Sequence, residues 1–159
     1  MKKEVSHSLP ATINPDWRVG IVAARYYKEE TDALVDGARN ALLEAGLKPE
    51  NVTAHFAPGS FEIPLIGAAL AESDKVDALI GIGIIVEGDT HHARLLAEAA
   101  TQGIMETQLT YQLPFAFEVL YVDSLELARA RTEGPHNKGT EAANAVLHAL
   151  AALEGIRND

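Results

Sequence analysis

Val76-Asp-Ala-Leu-Ile-Gly-Ile-Gly-Ile-Ile-Val86 decides the fold. Apart from Asp77 the stretch is apolar and rich in β-branched residues, with no polar alternation that would let one face meet water. It reads as a strand at the centre of a sheet, covered on both sides. The sequence on either side supplies neighbours and cover. Upstream, Arg18-Val-Gly-Ile-Val-Ala-Ala24 is a second buried-strand candidate. A helix follows from about Glu30 to Ala45, with Leu34, Ala38, Ala41, Leu42 and Ala45 on one face and Gly46 as its stop. Val52-Thr-Ala-His-Phe56 is a strand, Pro58-Gly59-Ser60 a turn, and Glu62 to about Ala71 a short helix whose Pro64 fits only the first turn.

Downstream, Gly88-Asp89-Thr90 leads into a helix reaching about Gln108, and Phe115 to Val122 is a strand. Asp123-Ser-Leu-Glu126 resembles a capping box for a helix ending near Arg131. Thr132 to Gly139 reads as a loop, and Thr140 to Leu153 as a last helix with Ala143, Val146, Leu147, Leu150 and Ala151 on one face. Strands alternating with helices predict an α/β sandwich around a parallel sheet. The first 17 residues lack periodicity and read as an arm outside the core, leaving 18–159 as the domain.

Composition narrows the function. The chain has 159 residues, 47% hydrophobic and 23% charged, which is ordinary globular usage and argues against disorder. It has no cysteine, which excludes disulfides, a thiolate nucleophile and sulfur-ligated zinc. No apolar run reaches the ~18 residues that a membrane span needs, and Met1-Lys-Lys-Glu-Val-Ser-His-Ser-Leu-Pro10 lacks the apolar stretch of a secretory signal, so a cytoplasmic address is expected. A net charge of −10 and a pI near 5.0 disfavour nucleic acid and anionic membranes as partners.

In parallel sheets ligands bind beyond the carboxyl ends of the strands. Here those ends are Ala24-Arg-Tyr-Tyr27, Phe56-Ala-Pro-Gly-Ser60, Val86-Glu-Gly-Asp-Thr-His-His92 and Val122-Asp123. Gly81-Ile-Gly83-Ile-Ile-Val86 fails the dinucleotide pattern, and the adjacent His91 and His92 lack the i, i+4 spacing of a helical metal site. No cofactor or metal is expected. Gly88-Asp89-Thr90 at a strand-to-helix junction suits a phosphate, through free N–H groups and the helix dipole, or simply caps the helix. His92, read as one turn into that helix, is suited to proton transfer or is an exposed helix histidine. Arg131 and Lys138 bracket an irregular loop as anion ligands or solvated charges. Ala57-Pro-Gly-Ser-Phe-Glu-Ile-Pro64 is distinctive, and turn chemistry alone would explain it.

Together, Val19-Gly-Ile-Val-Ala-Ala-Arg-Tyr26, Pro58-Gly-Ser-Phe-Glu-Ile-Pro64, Gly88-Asp-Thr-His-His92, Gln102-Gly-Ile104, Leu120-Tyr-Val-Asp-Ser124, Arg131 and Asn137-Lys-Gly-Thr-Glu-Ala-Ala143 resemble the 6,7-dimethyl-8-ribityllumazine synthase family. The similarity runs from about Arg18 to Leu153. It implies a flavodoxin-like three-layer sandwich with a central four-stranded parallel sheet and an N-terminal arm that adds to a neighbouring subunit. It also implies the penultimate step of riboflavin biosynthesis. There, 5-amino-6-(D-ribitylamino)uracil condenses with 3,4-dihydroxy-2-butanone 4-phosphate, without cofactor, to give the lumazine, phosphate and water.

By the resemblance, Tyr26 stacks on the pyrimidine with Tyr27 beside it. Ser60, Phe61 and Glu62 hold the ribityl chain, and Ile85 and Val86 read the uracil edge. Asp89 and Thr90 form the phosphate turn, and His92 is the proton-transfer base. Phe117, Arg131 and Lys138 complete the site from an adjacent subunit. The implied assembly is a homopentamer, with a decamer or a hollow sixty-subunit shell as larger forms and riboflavin synthase as a candidate partner. Ala97, Ala99, Ala100 and Ile104, together with the Ala-rich final helix, are expected to pack around the ring axis. The alternative is a weakly active member that binds flavin or lumazine as a carrier or shell protein.

The chain departs from the family pattern in places. Glu87 replaces a common basic residue, adding negative charge beside the phosphate turn. His92-Ala93-Arg94 lacks the usual acid after the histidine, and Arg94 offers positive charge instead. The loop from Thr132 to Asn137 is short and lacks the usual lysine.

Overall fold

The computed structural model describes residues 8–159; the first part of the expected arm, residues 1–7, lies outside them. Strands β1 (Val19–Ala24), β2 (Val52–Ala57), β3 (Ala78–Val86) and β4 (Phe115–Val122) form one parallel sheet in the order β2-β1-β3-β4. The decisive stretch is therefore internal, paired along β1 on one side and along β4 on the other. Its side chains alternate between two cores, as a strand covered on both faces requires. Ala78, Ile80, Ile82 and Ile84 join the core with Leu34, Ala38 and Leu42 of helix α1 (Lys28–Glu44) and Ala143, Val146 and Leu147 of α5 (Lys138–Arg157). Leu79 and Ile85 face the other core, with Ile63 and Leu70 of α2 (Ile63–Glu72) and Ala97 and Ile104 of α3 (His92–Tyr111). This is the flavodoxin-like layout. Among the described residues, no helix is long and apolar enough to cross a membrane.

Gly81 and Gly83 lie on the α2/α3 face, and their missing side chains set its depth. A methyl group on Gly83 would lie 2.4 Å from the Ser60 hydroxyl, and one on Gly81 would lie 3.0 Å from Ile63. The turn before α2 therefore rests directly on the strand. Gly103 plays the same part between helices, since a methyl group there would meet the Pro64 ring at 2.6 Å. That contact gives Gln102-Gly-Ile104 a packing role.

Several boundaries differ from the expected ones. Trp17, assigned to the arm, is 6% exposed and part of the α1/α5 core, with Ile13 packed against it. A single aromatic outside any repeat carries no periodic signal, so its burial was invisible in the sequence. Helix α3 begins at His92, so this histidine is the first helical residue and not one turn in. Ser124, not Asp123, caps the short helix α4 (Leu125–Arg129), accepting the Leu127 N–H at 3.4 Å. Ala97, Ala100 and Ile104 turn into the subunit's own core and are not available to a ring axis, while Ala99 is exposed.

Helix α5 starts at Lys138, ahead of the expected Thr140, because Asn137 caps it. Its side-chain oxygen accepts the Gly139 and Thr140 N–H groups at 2.8 and 3.3 Å. Its amide donates to the carbonyls of Ala33 in α1 and Thr132 at 3.0 and 2.8 Å. The next turn of α1 meets the same amide, since a methyl group on Gly37 would lie 2.2 Å from its oxygen. Gly139 lets α5 touch α1, since a methyl group there would lie 1.9 Å from the Leu34 carbonyl oxygen. Relief would require the backbone of one helix to move. Gly139→Ala should destabilise the fold by about 2–4 kcal/mol, read as a lower urea midpoint at matched protein concentration. An unchanged midpoint would show that the α1–α5 crossing is loose.

Candidate functional site

A cleft of about 750 Å³ opens at the carboxyl ends of β1 and β3, between the turn after β2 and the first half of α3. Tyr26, Tyr27, Ser60, Phe61, Glu62, Ile85, Val86 and His92 all line it. Each is placed by a local contact or a strand end. Tyr27 has left-handed backbone angles (φ 52°), uncommon for a non-glycine residue, which turn the chain sharply from β1 into α1. Thr31 secures that turn, its hydroxyl donating to the Tyr26 carbonyl at 2.8 Å and its N–H to the Tyr27 carbonyl at 2.9 Å. The Tyr26 side chain, 66% exposed, lies close to Gly59, where a methyl group would meet its ring at 3.3 Å.

The Pro58–Glu62 turn is held from both ends. Ser60, 4% exposed, sits on Gly83 of β3. The Glu62 carboxylate accepts the Gly59 N–H at 3.1 Å, closing the turn on itself. Phe61 is left 65% exposed at the cleft's edge.

Asp89 and Thr90 are exposed in the turn before α3 and do not line the cleft. The Thr90 hydroxyl accepts the His92 N–H at 3.4 Å, so it supports the start of the helix. Arg94 pairs with Glu98 at 2.9 Å along the exposed side of α3, so its charge is already engaged. Glu87 is bonded to Tyr121 on β4 and also accepts the Gly88 N–H at 3.1 Å.

Phe117, Arg131 and Lys138 lie outside this cleft. Phe117 is exposed on the edge strand β4. Arg131 and Lys138 are brought together, the Lys138 N–H donating to the Arg131 carbonyl at 2.8 Å. The Arg131 guanidinium donates to the Leu127 carbonyl at 2.7 Å, and the Lys138 ammonium pairs with Glu141 at 2.5 Å.

Residues 16–154 match the sequence pattern of a family described as 6,7-dimethyl-8-ribityllumazine synthase. The chain belongs to the 6,7-dimethyl-8-ribityllumazine synthase family. A relative of that name from Parabacteroides distasonis is 41% identical over 129 residues, covering 80% of this chain and 81% of that protein. Another, from Porphyromonas gingivalis, is 40% identical over 142 residues, covering 89% and 88%.

Sequence reasoning missed part of this lumazine synthase cleft. Leu95, Leu96 and Ala99 form its α3 wall, and their spacing from His92 along one helix side was a usable signal. Thr31 was hidden as an ordinary helix residue. Glu118 was missed as well. It is partly buried on β4, its carboxyl pushed up to about 7 by burial and by Glu141, with Lys138 opposing. Its ionised form is therefore disfavoured in the folded chain. The cost is absent at pH 4, grows as pH rises from the ordinary carboxyl range, and is complete above about 7. Glu118→Gln should stabilise the protein at pH 8 by about 1–3 kcal/mol and leave it unchanged at pH 4. Equal stability of the two chains at pH 8 would show that Glu118 carries no such cost.

Proposed function

We propose that this chain condenses 5-amino-6-(D-ribitylamino)uracil with 3,4-dihydroxy-2-butanone 4-phosphate, giving 6,7-dimethyl-8-ribityllumazine, phosphate and water. One observation carries the residue assignment. The ring-facing, ribityl-facing and proton-transfer candidates share one cleft, while the cationic pair Arg131–Lys138 and the aromatic Phe117 lie outside it on other elements. A cleft and an outlying set divided in this way support a site completed between subunits.

In that site Tyr26 stacks on the pyrimidine, and Tyr27 flanks it. The backbone at Ile85 and Val86 meets the uracil edge, and Ser60, Phe61 and Glu62 line the path of the ribityl chain. The aminouracil amine attacks the butanone ketone to form an imine, phosphate leaves by elimination, and the ring closes. His92, exposed at the start of α3 and lining the cleft, moves protons between these steps. The Gly88–Thr90 turn receives phosphate, and a neighbour's Arg131 binds it through paired charge-assisted hydrogen bonds. A neighbour's Phe117 closes the ring pocket, and its Lys138 lines the site. Much of the acceleration then comes from holding two reactants together.

The smallest complete unit is a homopentamer. Exposed Met105 and Leu109 on α3, Leu65 on α2 and Phe117 on β4 provide apolar surface for it. Native mass spectrometry should find pentamers or multiples of five, and a stable monomer would overturn the shared-site reading.

Supplying both substrates should produce lumazine absorbance. Arg131→Ala should weaken the butanone phosphate term by about ten- to a hundredfold, equivalent to roughly 1.5–3 kcal/mol, and leave binding of a ribityl-uracil analogue nearly unchanged. His92→Ala should keep both ligands bound and slow turnover, modestly if positioning dominates. Equal loss of both ligands in Arg131→Ala would remove that residue from the phosphate site.

A further inference from the structure

Glu87 is an acid in a place that does not suit one. It follows β3 directly and precedes the turn proposed to receive phosphate, where a free carboxylate would repel a phosphate ester. Its surroundings answer that problem. Ile85 pairs with Tyr121 in the β3–β4 register, and residues two apart in a strand share a face, so Glu87 and Tyr121 are diagonal neighbours on one side of the sheet. The Tyr121 hydroxyl donates to one Glu87 oxygen, and the Gly88 N–H donates to the other at 3.1 Å. The Glu87 N–H donates to the Val122 carbonyl at 2.8 Å, fixing the root of the side chain to the end of β4. The lining of the cleft passes from Val86 to His92 without Glu87.

We propose that Tyr121 is a positioning residue that holds the Glu87 carboxylate at the foot of the turn, against β4 and the Gly88 N–H, and away from the Asp89–Thr90 part of the turn that takes the substrate phosphate. The proposal rests on the phosphate-receiving role given to that turn. Without the phenol hydroxyl the carboxylate loses its β4 partner and is free to swing toward the anion site. Tyr121 thus acts through Glu87 and touches no substrate.

The test is steady-state kinetics of the assembled protein with both substrates. Tyr121→Phe should raise KM for the butanone phosphate roughly three- to fivefold at low salt. KM for the aminouracil and kcat should be unchanged. The increase should vanish at about 1 M salt, where the Debye length is ~3 Å. Adding Glu87→Gln to Tyr121→Phe should restore the original KM, because the neutral amide has no charge to hold away. Glu87→Gln alone keeps an acceptor for Tyr121 and should lower that KM or leave it unchanged.

A role in folding alone predicts salt-independent changes in kcat and both KM values, with no rescue, and that pattern overturns the proposal. So does a raised KM in Glu87→Gln alone, which also serves if Tyr121→Phe does not fold. If the unaltered protein forms no lumazine, the proposed function fails. If it is active and Tyr121→Phe is indistinguishable from it, only the positioning role of Tyr121 fails.

Discussion

The close approach of Ser60 and Ile63 to the glycines of β3 sets the geometry on which the cleft depends. A strand buried on both faces must be covered, and the cover can lie no closer than its side chains allow. At Gly81 and Gly83 there are none, so the turn that begins α2 settles onto the strand itself. That depth puts Phe61 and Glu62 at the cleft and leaves room for Tyr26 above Gly59. Filling either glycine would lift the turn away from the strand ends. Dinucleotide-binding glycines lie in the turn after a strand, where they admit a pyrophosphate. Here the pair lies inside the strand and admits protein.

A second constraint acts on the opposite face. Asn137 joins α1, the Thr132 carbonyl and the start of α5 through one buried amide; Gly37 gives that amide room, and Gly139 lets α5 approach the α1 backbone. The loop between Arg131 and Lys138 is thereby closed at both ends, with Lys138 bonded back to the Arg131 carbonyl. Glu30 strengthens the junction from α1, its buried carboxylate accepting Arg129 of α4 at 2.9 Å. Removing Arg129 would leave the buried Glu30 carboxylate without its cation, whereas Arg129 without Glu30 would remain solvated. The cationic pair is therefore carried by rigid elements although it lies beside irregular chain.

The sheet and its helices were legible in the sequence because their signals are periodic. The run from Val76 to Val86 could only be central, and the α1 and α5 stripes could only face a core. The position of the cleft followed from topology. What escaped detection depends on single contacts between distant residues. Trp17 buries itself without a repeat, and Lys138 becomes helical because Asn137 caps it. The α3 stripe was assigned outward because Ala97, Ala100 and Ile104 are small or apolar, and composition alone does not say which side a helix turns inward. The pairing of Glu87 with Tyr121 requires knowing the β3–β4 register, which no local pattern encodes. Glu118 required knowing that Lys138 and Glu141 lie opposite it on α5.

These pairings answer a problem posed by the composition. A chain with net charge −10 repels phosphate esters at long range, so recognition has to be local. Three carboxylates near these groups are paired with cations: Glu98 with Arg94, Glu141 with Lys138 and Glu30 with Arg129. Each pair shortens the reach of a negative charge, because an ion bonded to its neighbour presents a dipole to anything farther away. Glu118 is held toward its neutral form by burial and by Glu141, with Lys138 opposing, so part of its charge is withdrawn near pH 7. Arg131 has the opposite arrangement. Its guanidinium donates to the neutral Leu127 carbonyl and, among the described residues, pairs with no carboxylate, so its charge stays available for the anion proposed to bind there. With three such acids paired and the Arg131 charge still available, local binding of the phosphate proposed for this site can compete with the field of the whole chain.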